Sequence, residues 1–188
     1  SYGRIMDVMN TPETADTGTI SKQLAGFVEV KNLSLSYSGK PVLKNINFQI
    51  KPGTRTAIIG PTAAGKTQLL YLLTGLTKPD SGQILFDGID ISGYDKNSFQ
   101  RQIGFVFQDS VMFNISLREN IAFNEEVTEQ DMNKAIETAE LKDFIDTLPE
   151  GLDTIVSERG TSLSGGQKQR IMLARALALN PKILLLDD

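Results

Sequence analysis

The sequence predicts an α/β fold, and three patterns in the 188-residue chain support this class. Residues 54–59 are a short apolar run of the kind that forms a buried parallel strand. Residues 33–37 and 46–50 alternate apolar and polar side chains, as half-exposed strands do. Residues 109–162 change character and are mostly helical in pattern. The chain is therefore expected to combine strands of both kinds with a helical region.

Further elements are predicted in chain order. A helix is expected over 66–77, and its apolar face consists of Leu69, Leu70, Leu72, Leu73 and Leu76. Short strands are expected at 83–86 and 103–107. A helix start is indicated at 128–131, and the apolar residues that follow on one face are Met132, Ala135, Ile136 and Ala139. The apolar run 183–186 suits a buried strand and is followed by two aspartates.

The composition suits one globular domain with its own core, since 40% of the residues are hydrophobic and 22% are charged. The net charge of −4 argues against a nucleic-acid partner, because phosphate-backbone binding usually needs a basic face. The chain has no cysteine, which excludes disulfides and thiolate metal sites. No apolar run approaches the roughly 18 residues of a membrane span, so any membrane connection is expected from elsewhere in the full protein.

The segment 60–67, Gly-Pro-Thr-Ala-Ala-Gly-Lys-Thr, has the pattern of a phosphate-binding loop. Gly60 and Gly65 allow a tight turn whose N–H groups point inward. Lys66 is expected to face the β- and γ-phosphates, and the Thr67 hydroxyl is expected to bind Mg²⁺. The phosphates would lie at the positive end of the following helix. A plain glycine-rich turn needs neither the lysine nor the threonine, so phosphate binding is the favoured interpretation.

A second candidate anion site is the start of a helix predicted over 164–179. Ser164 and Gln167 form a capping box, which begins a helix whatever the function. Gly165 and Gly166 weaken a helix start unless another group must approach the backbone closely. Two glycines beneath a serine cap expose several N–H donors to an incoming anion.

Taken in order, these motifs resemble those of the nucleotide-binding domain of ATP-binding cassette (ABC) transporters. The matching pieces are Tyr37, Gly60–Thr67, Gln108, Leu163–Gln167 and Ile183–Asp188. The resemblance implies a P-loop NTPase core with an antiparallel β subdomain and an inserted α-helical subdomain. It places the domain at 26–188, with the helical subdomain at 109–162. Residues 1–25 are expected to be the end of a membrane-domain helix and a linker.

The resemblance also implies ATP and Mg²⁺ as cofactors and assigns roles to single residues. The catalytic residues would be Asp188, Gln108 and Lys66. The Mg²⁺ ligands would be Thr67, Gln108 and Asp187. Residues expected to contact the nucleotide are Tyr37, Gly60, Pro61, Thr62, Ala63, Ala64, Gly65, Lys66, Thr67, Gln68, Ser164, Gly165, Gly166 and Gln167.

Several interpretations have a structural alternative. Tyr37 would stack on adenine through its ring face, although a strand-end aromatic can also cover a core. Gln108 would meet Mg²⁺ or the attacking water, although a polar residue also ends strands. The apolar stretch 109–123 fits a groove for a membrane-domain helix and a simple subdomain core equally well. Glu158 would contact the same membrane-domain partner or be a solvated surface charge.

Three positions depart from the family pattern. Ala63 and Gln68 stand where the family more often has Gly and Ser or Thr. If residue 63 needs a positive φ, alanine costs about 1 kcal/mol or more. Asp188 stands where the usual catalytic residue is Glu, and it is one methylene shorter. A misplaced base loses activity steeply, so a weakened hydrolytic site that still binds ATP is predicted.

The resemblance is narrower to the exporter branch. Residues 154–160 resemble the exporters' X-loop, and residues 1–10 resemble the last helix turns that join a membrane domain to its ATPase. The expected partners are a second nucleotide-binding domain, bound head to tail, and a transmembrane domain at the cytoplasmic face of the cell membrane. The expected function is ATP-driven export of a substrate.

The sequence also has alternative functional interpretations. The main alternative is a degenerate, ATP-binding and non-hydrolysing regulatory half of a heterodimeric transporter. A DNA-repair cassette protein is less favoured because no coiled coil interrupts 68–162, and a translation-factor relative would carry two cassettes in one chain. A small-molecule kinase or GTPase does not need Leu163–Gln167. Because the sequence ends before the D-loop and the switch histidine that the family carries next, the domain is expected to be C-terminally truncated and inactive in hydrolysis alone.

Overall fold

The computed structural model describes residues 18–109, 111–124, 126–156 and 163–187. The strands are β1 Val28–Tyr37, β2 Lys40–Ile50, β3 Ser81–Phe86, β4 Ile89–Asp90, β5 Ile103–Val106 and β6 Ile183–Leu186. The α-helices are α1 Lys66–Leu73, α2 Lys96–Gln100, α3 Leu117–Ile121, α4 Glu129–Thr138, α5 Lys142–Asp146 and α6 Gly165–Leu177. Short 3₁₀ helices cover Ile91–Gly93 and Gly151–Asp153. Within these residues no helix has the length and apolar character needed to cross a membrane.

The strands form two sheets of different type. Four strands make an antiparallel sheet in the order β2-β1-β3-β4. Strands β5 and β6 make a parallel pair in which Ile103 lies opposite Ile183 and Val106 lies opposite Leu186. The α/β class and the antiparallel β subdomain are confirmed. The predicted strands at 33–37, 46–50, 83–86, 103–107 and 183–186 are also confirmed, with some ends shifted by a few residues. The predicted burial of 183–186 is wrong, because Leu184 and Leu186 are 37% and 59% exposed and β6 pairs with a strand on one side only among the described residues.

Residues 54–59 do not form the predicted strand. They pair with no strand in the described part of the chain, and the Ile59 side chain is 90% exposed. The Thr54 N–H instead closes a turn onto the Lys51 carbonyl at 3.3 Å. An apolar composition favours burial, but a strand also needs a neighbouring strand to bond with. Among the described residues β6 pairs only with β5, so residues 54–59 do not join that sheet. The strand prediction is therefore wrong for this segment.

Helix α1 ends four residues before the predicted position. Gly75 takes a φ of 73°, and its N–H donates to the Leu72 carbonyl. The Leu76 N–H donates to the Tyr71 carbonyl, which completes a Schellman C-cap. Leu76 therefore lies outside the helix and is 57% exposed, contrary to the prediction. The remaining predicted members of the apolar face are buried: Leu69, Leu70, Leu72 and Leu73.

Two apolar clusters form the interior. The first joins the antiparallel sheet to α1, and its most buried members include Leu33, Leu72 and Phe86. The second lies among the helices; its members include Met112, Leu117, Met132, Ala135, Ile136, Ala139 and Ile171. The predicted start of α4 is confirmed, because the Thr128 side chain accepts a hydrogen bond from the Asp131 N–H. Helix α6 supplies part of the second cluster, so the helical core extends beyond residue 162.

The described part of the predicted linker packs against the domain. Leu24 is only 3% exposed and belongs to the first cluster. Its N–H donates to the Gln102 Oε1 at 2.7 Å, and the Gln102 Nε2 donates to the Lys22 carbonyl at 3.1 Å. The Gln102 carbonyl in turn accepts from the N–H groups of Lys182 and Ile183 at the start of β6. Residues 18–25 are thus joined to the beginnings of both parallel strands.

Candidate functional site

The turn before α1 depends on a glycine at its last position. Gly65 is the N-cap of α1 and has a φ of 86°. A Cβ atom placed there would lie 2.9 Å from the Val42 Cγ1 and 3.0 Å from the Leu43 Cδ2. Backbone conformation and space therefore both require glycine at this position. The result is a tight loop packed against β2, with its N–H groups at the start of a helix.

Ala63 adopts a left-handed conformation within the same loop. Its φ is 64°, so residue 63 does take the positive φ at which alanine is less favourable than glycine. Alanine at such an angle costs about 1 kcal/mol relative to glycine. Strain of this kind is kept where the surrounding structure fixes the backbone, and it often marks a functional loop.

The Lys66 side chain folds back over the loop. Its Nζ donates to the carbonyl oxygens of Gly60 and Pro61, each at 2.9 Å. An ammonium group has three N–H donors, so one donor remains for an additional acceptor. The positive charge is thereby held within the turn, at the helix N-terminus where anions are stabilised.

Thr67 and Asp187 lie in contact although they are 120 residues apart in sequence. The Thr67 Oγ1 donates to the Asp187 Oδ1 at 3.2 Å. Asp187 follows β6 and Gln108 follows β5, and the carboxyl ends of parallel strands meet at one edge of a sheet. Thr67, Gln108 and Asp187 accordingly line one cavity of about 540 Å³. Hydroxyl, amide and carboxylate oxygens are donors that suit Mg²⁺, so the predicted ligand set fits that ion chemically.

Tyr37 stands beside this loop at the end of β1. It is 47% exposed, so its side chain does not serve to cover the core. The Tyr37 hydroxyl donates to the Gln68 Oε1 at 2.9 Å, which connects the antiparallel sheet to the first turn of α1. The side chain therefore lies next to the start of α1 and is about half exposed.

The second candidate anion site begins at Ser164. The Ser164 Oγ accepts from the Gln167 N–H at 3.2 Å, and the Gln167 Oε1 accepts from the Ser164 N–H at 2.8 Å. The predicted capping box is confirmed. A Cβ at Gly165 or Gly166 would meet nothing within 4 Å, and neither glycine has a positive φ. Nothing within the described chain therefore requires glycine at these two positions.

The predicted residues thus form two groups. One group surrounds the phosphate loop: Tyr37, Gly60, Pro61, Thr62, Ala63, Ala64, Gly65, Lys66, Thr67, Gln68, Gln108 and Asp187. The other group lies at the start of α6: Ser164, Gly165, Gly166 and Gln167. The 540 Å³ cavity that Thr67, Gln108 and Asp187 line is lined by none of the four residues of the second group. Asp188, Glu158, residues 157–160 and residues 1–10 lie outside the described residues.

Arg175 is a residue near the site that the sequence analysis missed. It lines the same cavity as Thr67 and Asp187. Its Nε donates to the Asn120 carbonyl at 2.6 Å, one terminal nitrogen donates to the Asn120 Oδ1 at 2.9 Å, and the other donates to the Val111 carbonyl at 3.1 Å. Burial lowers the pKa of the Arg175 guanidinium from its ordinary value. An arginine on the otherwise apolar face of α6 was the signal available in the sequence.

The stretch 109–123 contains both buried and exposed apolar side chains. Met112, Leu117 and Ile121 are buried in the helical core. Phe113 and Phe123 are 39% and 59% exposed, and their rings stack with centroids 4.9 Å apart. The Arg175 guanidinium carbon lies 5.4 Å and 5.6 Å from the two centroids. The segment therefore contributes both core and an exposed aromatic surface.

The site combines a glycine-containing turn, a lysine and a threonine at a helix start, and an aspartate that follows a parallel strand. This arrangement is typical of phosphate-loop nucleotide-binding domains. A comparison with protein families matches residues 43–188 to the ABC transporter family. The chain therefore belongs to the ABC transporter family.

Individual relatives agree with this assignment. The chain is 40% identical over 185 residues to the ATP-dependent lipid A-core flippase of Syntrophus aciditrophicus, covering 98% of the chain and 30% of that protein. It is 43% identical over 194 residues to the leukotoxin translocation ATP-binding protein LktB of Mannheimia glucosida, covering 100% of the chain and 27% of that protein. The solved structure of a bacterial Atm1-family ABC exporter with ATP bound matches with a TM-score of 0.89 and 35% identity, covering 99% of this chain and 33% of that one.

These findings confirm the resemblance and the fold class predicted from the motifs. The chain corresponds to the nucleotide-binding domain of ABC exporters, and its family implies nucleotide binding. The chain spans about a third or less of the length of the relatives it matches.

Proposed function

We propose that this chain is the ATP-binding and ATP-hydrolysing motor domain of an ABC exporter. The observation that carries this proposal is the contact between Thr67 and Asp187 beside the loop that holds Lys66. It brings a helix start, a fixed cation and oxygen ligands to one edge of the parallel strands. Such an arrangement positions and neutralises a triphosphate, which is most of what phosphoryl transfer requires of a protein.

Different residues around the loop would bind different parts of the nucleotide. The backbone N–H groups of residues 60–65 and the Lys66 ammonium would bind the phosphates. Tyr37 would stack on the base through its exposed ring face. Thr67, Gln108 and Asp187 would hold Mg²⁺. When bound, that ion supplies positive charge that offsets charge on the β- and γ-phosphates.

The start of α6 would act on a nucleotide held by a second copy or by a related domain. Gly165 and Gly166 leave their N–H groups open, and no group of the described chain uses the space beside them. A head-to-tail pair with twofold or pseudo-twofold symmetry would place this helix start over the γ-phosphate of the partner's ATP. Loss of that phosphate after hydrolysis would weaken closure of the pair.

The remaining partners follow from the exporter relatives. A transmembrane domain, outside this chain, would bring the motor to the cytoplasmic face of the cell membrane. The exposed rings of Phe113 and Phe123 are candidates for contact with a helix of that domain. Opening and closing of the paired motors would then move the membrane helices and export a substrate.

Asp188 supports a second candidate function, a regulatory half that binds ATP without turning it over. It occupies the place of the usual catalytic glutamate and is one methylene shorter. The test is ATPase turnover of the full transporter with Asp188→Glu, compared with Asp188→Asn. A large gain with Glu supports the degenerate half. A fast wild-type site that gains nothing contradicts it, and so does a fast site that Asp188→Asn abolishes.

The proposed function is tested by nucleotide binding to the chain. Calorimetry with Mg-ATP is expected to show binding to the wild type and a loss of about 10- to 100-fold or more with Lys66→Met, as for removal of charge-assisted hydrogen bonds. Lys142→Met is the matched control, because Lys142 lies in an exposed pair with Asp146 on α5. Absence of wild-type binding, or equal binding by Lys66→Met, would contradict the proposal.

A further inference from the structure

Gln68 makes a contact that a family-typical residue cannot make. Its Oε1 accepts a hydrogen bond from the Tyr37 hydroxyl at 2.9 Å. The family more often has Ser or Thr at this position, and those side chains end at the γ atom. Two further bonds separate that atom from the Oε1 of a glutamine. The contact is therefore a property of this chain rather than of the motif.

The Tyr37 ring has little else to fix it in place. It is 47% exposed and takes part in none of the aromatic ring contacts found among the described residues. Its backbone is well defined, since Tyr37 pairs with Lys40 across a hairpin closed by Ser38 and Gly39, both with positive φ. Beyond that backbone, the one side-chain contact that the structure gives for Tyr37 among the described residues is the hydrogen bond of its hydroxyl to Gln68.

The hydrogen bond ties that hydroxyl to the helix that carries the phosphate loop. Gln68 follows directly after Lys66 and Thr67 in the first turn of α1. The bond therefore fixes the ring relative to the point where the phosphates would lie, at a defined separation. Ordering an exposed side chain before binding removes an entropy cost that the ligand would otherwise bear.

We propose that Gln68 is a positioning residue that orients the Tyr37 ring as the platform for the nucleotide base. The inference rests on the proposed function, because it assumes that a nucleotide occupies the phosphate loop. Gln68 acts through Tyr37 and not by contact with the base. The affinity for a nucleoside triphosphate then depends on the hydrogen bond between Tyr37 and Gln68, whereas the affinity for a polyphosphate without a base does not.

The test is a double-mutant cycle with Tyr37→Phe, which removes only the hydroxyl, and Gln68→Met, which keeps length but removes the acceptor. Binding is measured by calorimetry with Mg-ATP and with inorganic tripolyphosphate in Mg²⁺. Each single variant is expected to weaken ATP binding about threefold to tenfold, the effect of one hydrogen bond. The double variant is expected to be no weaker than either single variant. Tripolyphosphate binding is expected to be unchanged, and Gln130→Met on α4 is the control.

Three results would overturn the inference. One is a Tyr37→Phe variant that binds ATP as the wild type does. Another is equal weakening of ATP and tripolyphosphate, which would mean that the contact shapes the loop and not the platform. The third is full additivity in the double variant. Each of these results differs from failure of the proposed function. That failure would appear as no ATP binding by the wild type, or as equal ATP binding by the wild type and Lys66→Met.

Discussion

The two candidate anion sites use glycine for opposite reasons. At the phosphate loop, Gly65 is required by the chain itself, since its φ is 86° and a Cβ would lie 2.9 Å from the Val42 Cγ1. At the start of α6, a Cβ on Gly165 or Gly166 would meet nothing within 4 Å. At the first site the surrounding fold requires glycine. At the second site the described chain leaves the space beside both glycines empty.

The open site is nevertheless attached to a firmly held helix. Arg175 on α6 donates two hydrogen bonds to Asn120 and one to the Val111 carbonyl. Asn120 is fully buried, and its side chain also bonds the backbone of Phe113 and Ser116. The comparison is thus between two sites. We call the tightly packed loop at Gly65 the closed site, and the start of α6 at Gly165 and Gly166 the open site, whose helix is held near its C-terminal end by Arg175.

The largest expected effect concerns that anchor. Asn120→Ala removes the partner of several buried polar groups and is expected to lower the free energy of unfolding by about 3 kcal/mol. Chemical denaturation checks this, with Asn133→Ala as the control because Asn133 is an exposed residue of the neighbouring helix α4. A cost of Asn120→Ala no larger than that of the control would show that α6 is not anchored in this way.

The next effect tests the closed site. Gly65→Ala forces a Cβ into contact with β2 at a positive φ, and the expected destabilisation is about 2 kcal/mol. Loss of Mg-ATP binding is expected with it, measured by calorimetry on the folded fraction. Retention of both stability and binding would mean that the loop relaxes around the added methyl group.

The matching change at the open site is expected to behave differently. Gly166→Ala has free space, so the free energy of unfolding should change by no more than about 1 kcal/mol, with a gain favoured by helix propensity. Mg-ATP binding to the single chain is expected to be unaffected. ATP-dependent association and ATPase turnover of the full transporter are expected to fall. If Gly166→Ala destabilises the chain as strongly as Gly65→Ala does, the contrast between the two sites is wrong.

The smallest effect concerns Ala63, whose φ is 64°. Glycine would relieve about 1 kcal/mol of strain but adds about 0.5–1 kcal/mol of unfolded-state entropy, so Ala63→Gly is expected to change stability by only a few tenths of a kcal/mol. The midpoint of denaturation measures this. A loss above about 1 kcal/mol would show that the Cβ of Ala63 makes a contact that the strain argument leaves out.

Local chemistry explains what could be predicted from the sequence. The Ser164 and Gln167 capping box, the Thr128 cap and the alternating strands depend on neighbouring residues only, and all were found. These caps and strands therefore need no knowledge of which distant segments meet. The shared site of Thr67 and Asp187 is predicted only through the family resemblance, and the structure places the Thr67 Oγ1 3.2 Å from the Asp187 Oδ1.

The errors arose where pairing or packing decides the outcome. The run 54–59 has strand composition, but a strand needs a partner edge, which composition does not reveal. The end of α1 was misplaced because Gly75 offers a Schellman cap inside a continuing leucine pattern. The role of Arg175 cannot be predicted from the sequence, because it depends on the oxygen atoms of Asn120 and Val111 that accept its hydrogen bonds.

Gln102 gives the molecule a mechanical property. Its side chain grips the backbone at Lys22 and Leu24, and its own carbonyl accepts from the first residues of β6. Because Gln102 also directly precedes β5, a force applied to residues 18–25 would be transmitted to the N-terminal ends of both β5 and β6. Gln108 and Asp187 follow the C-terminal ends of these two strands.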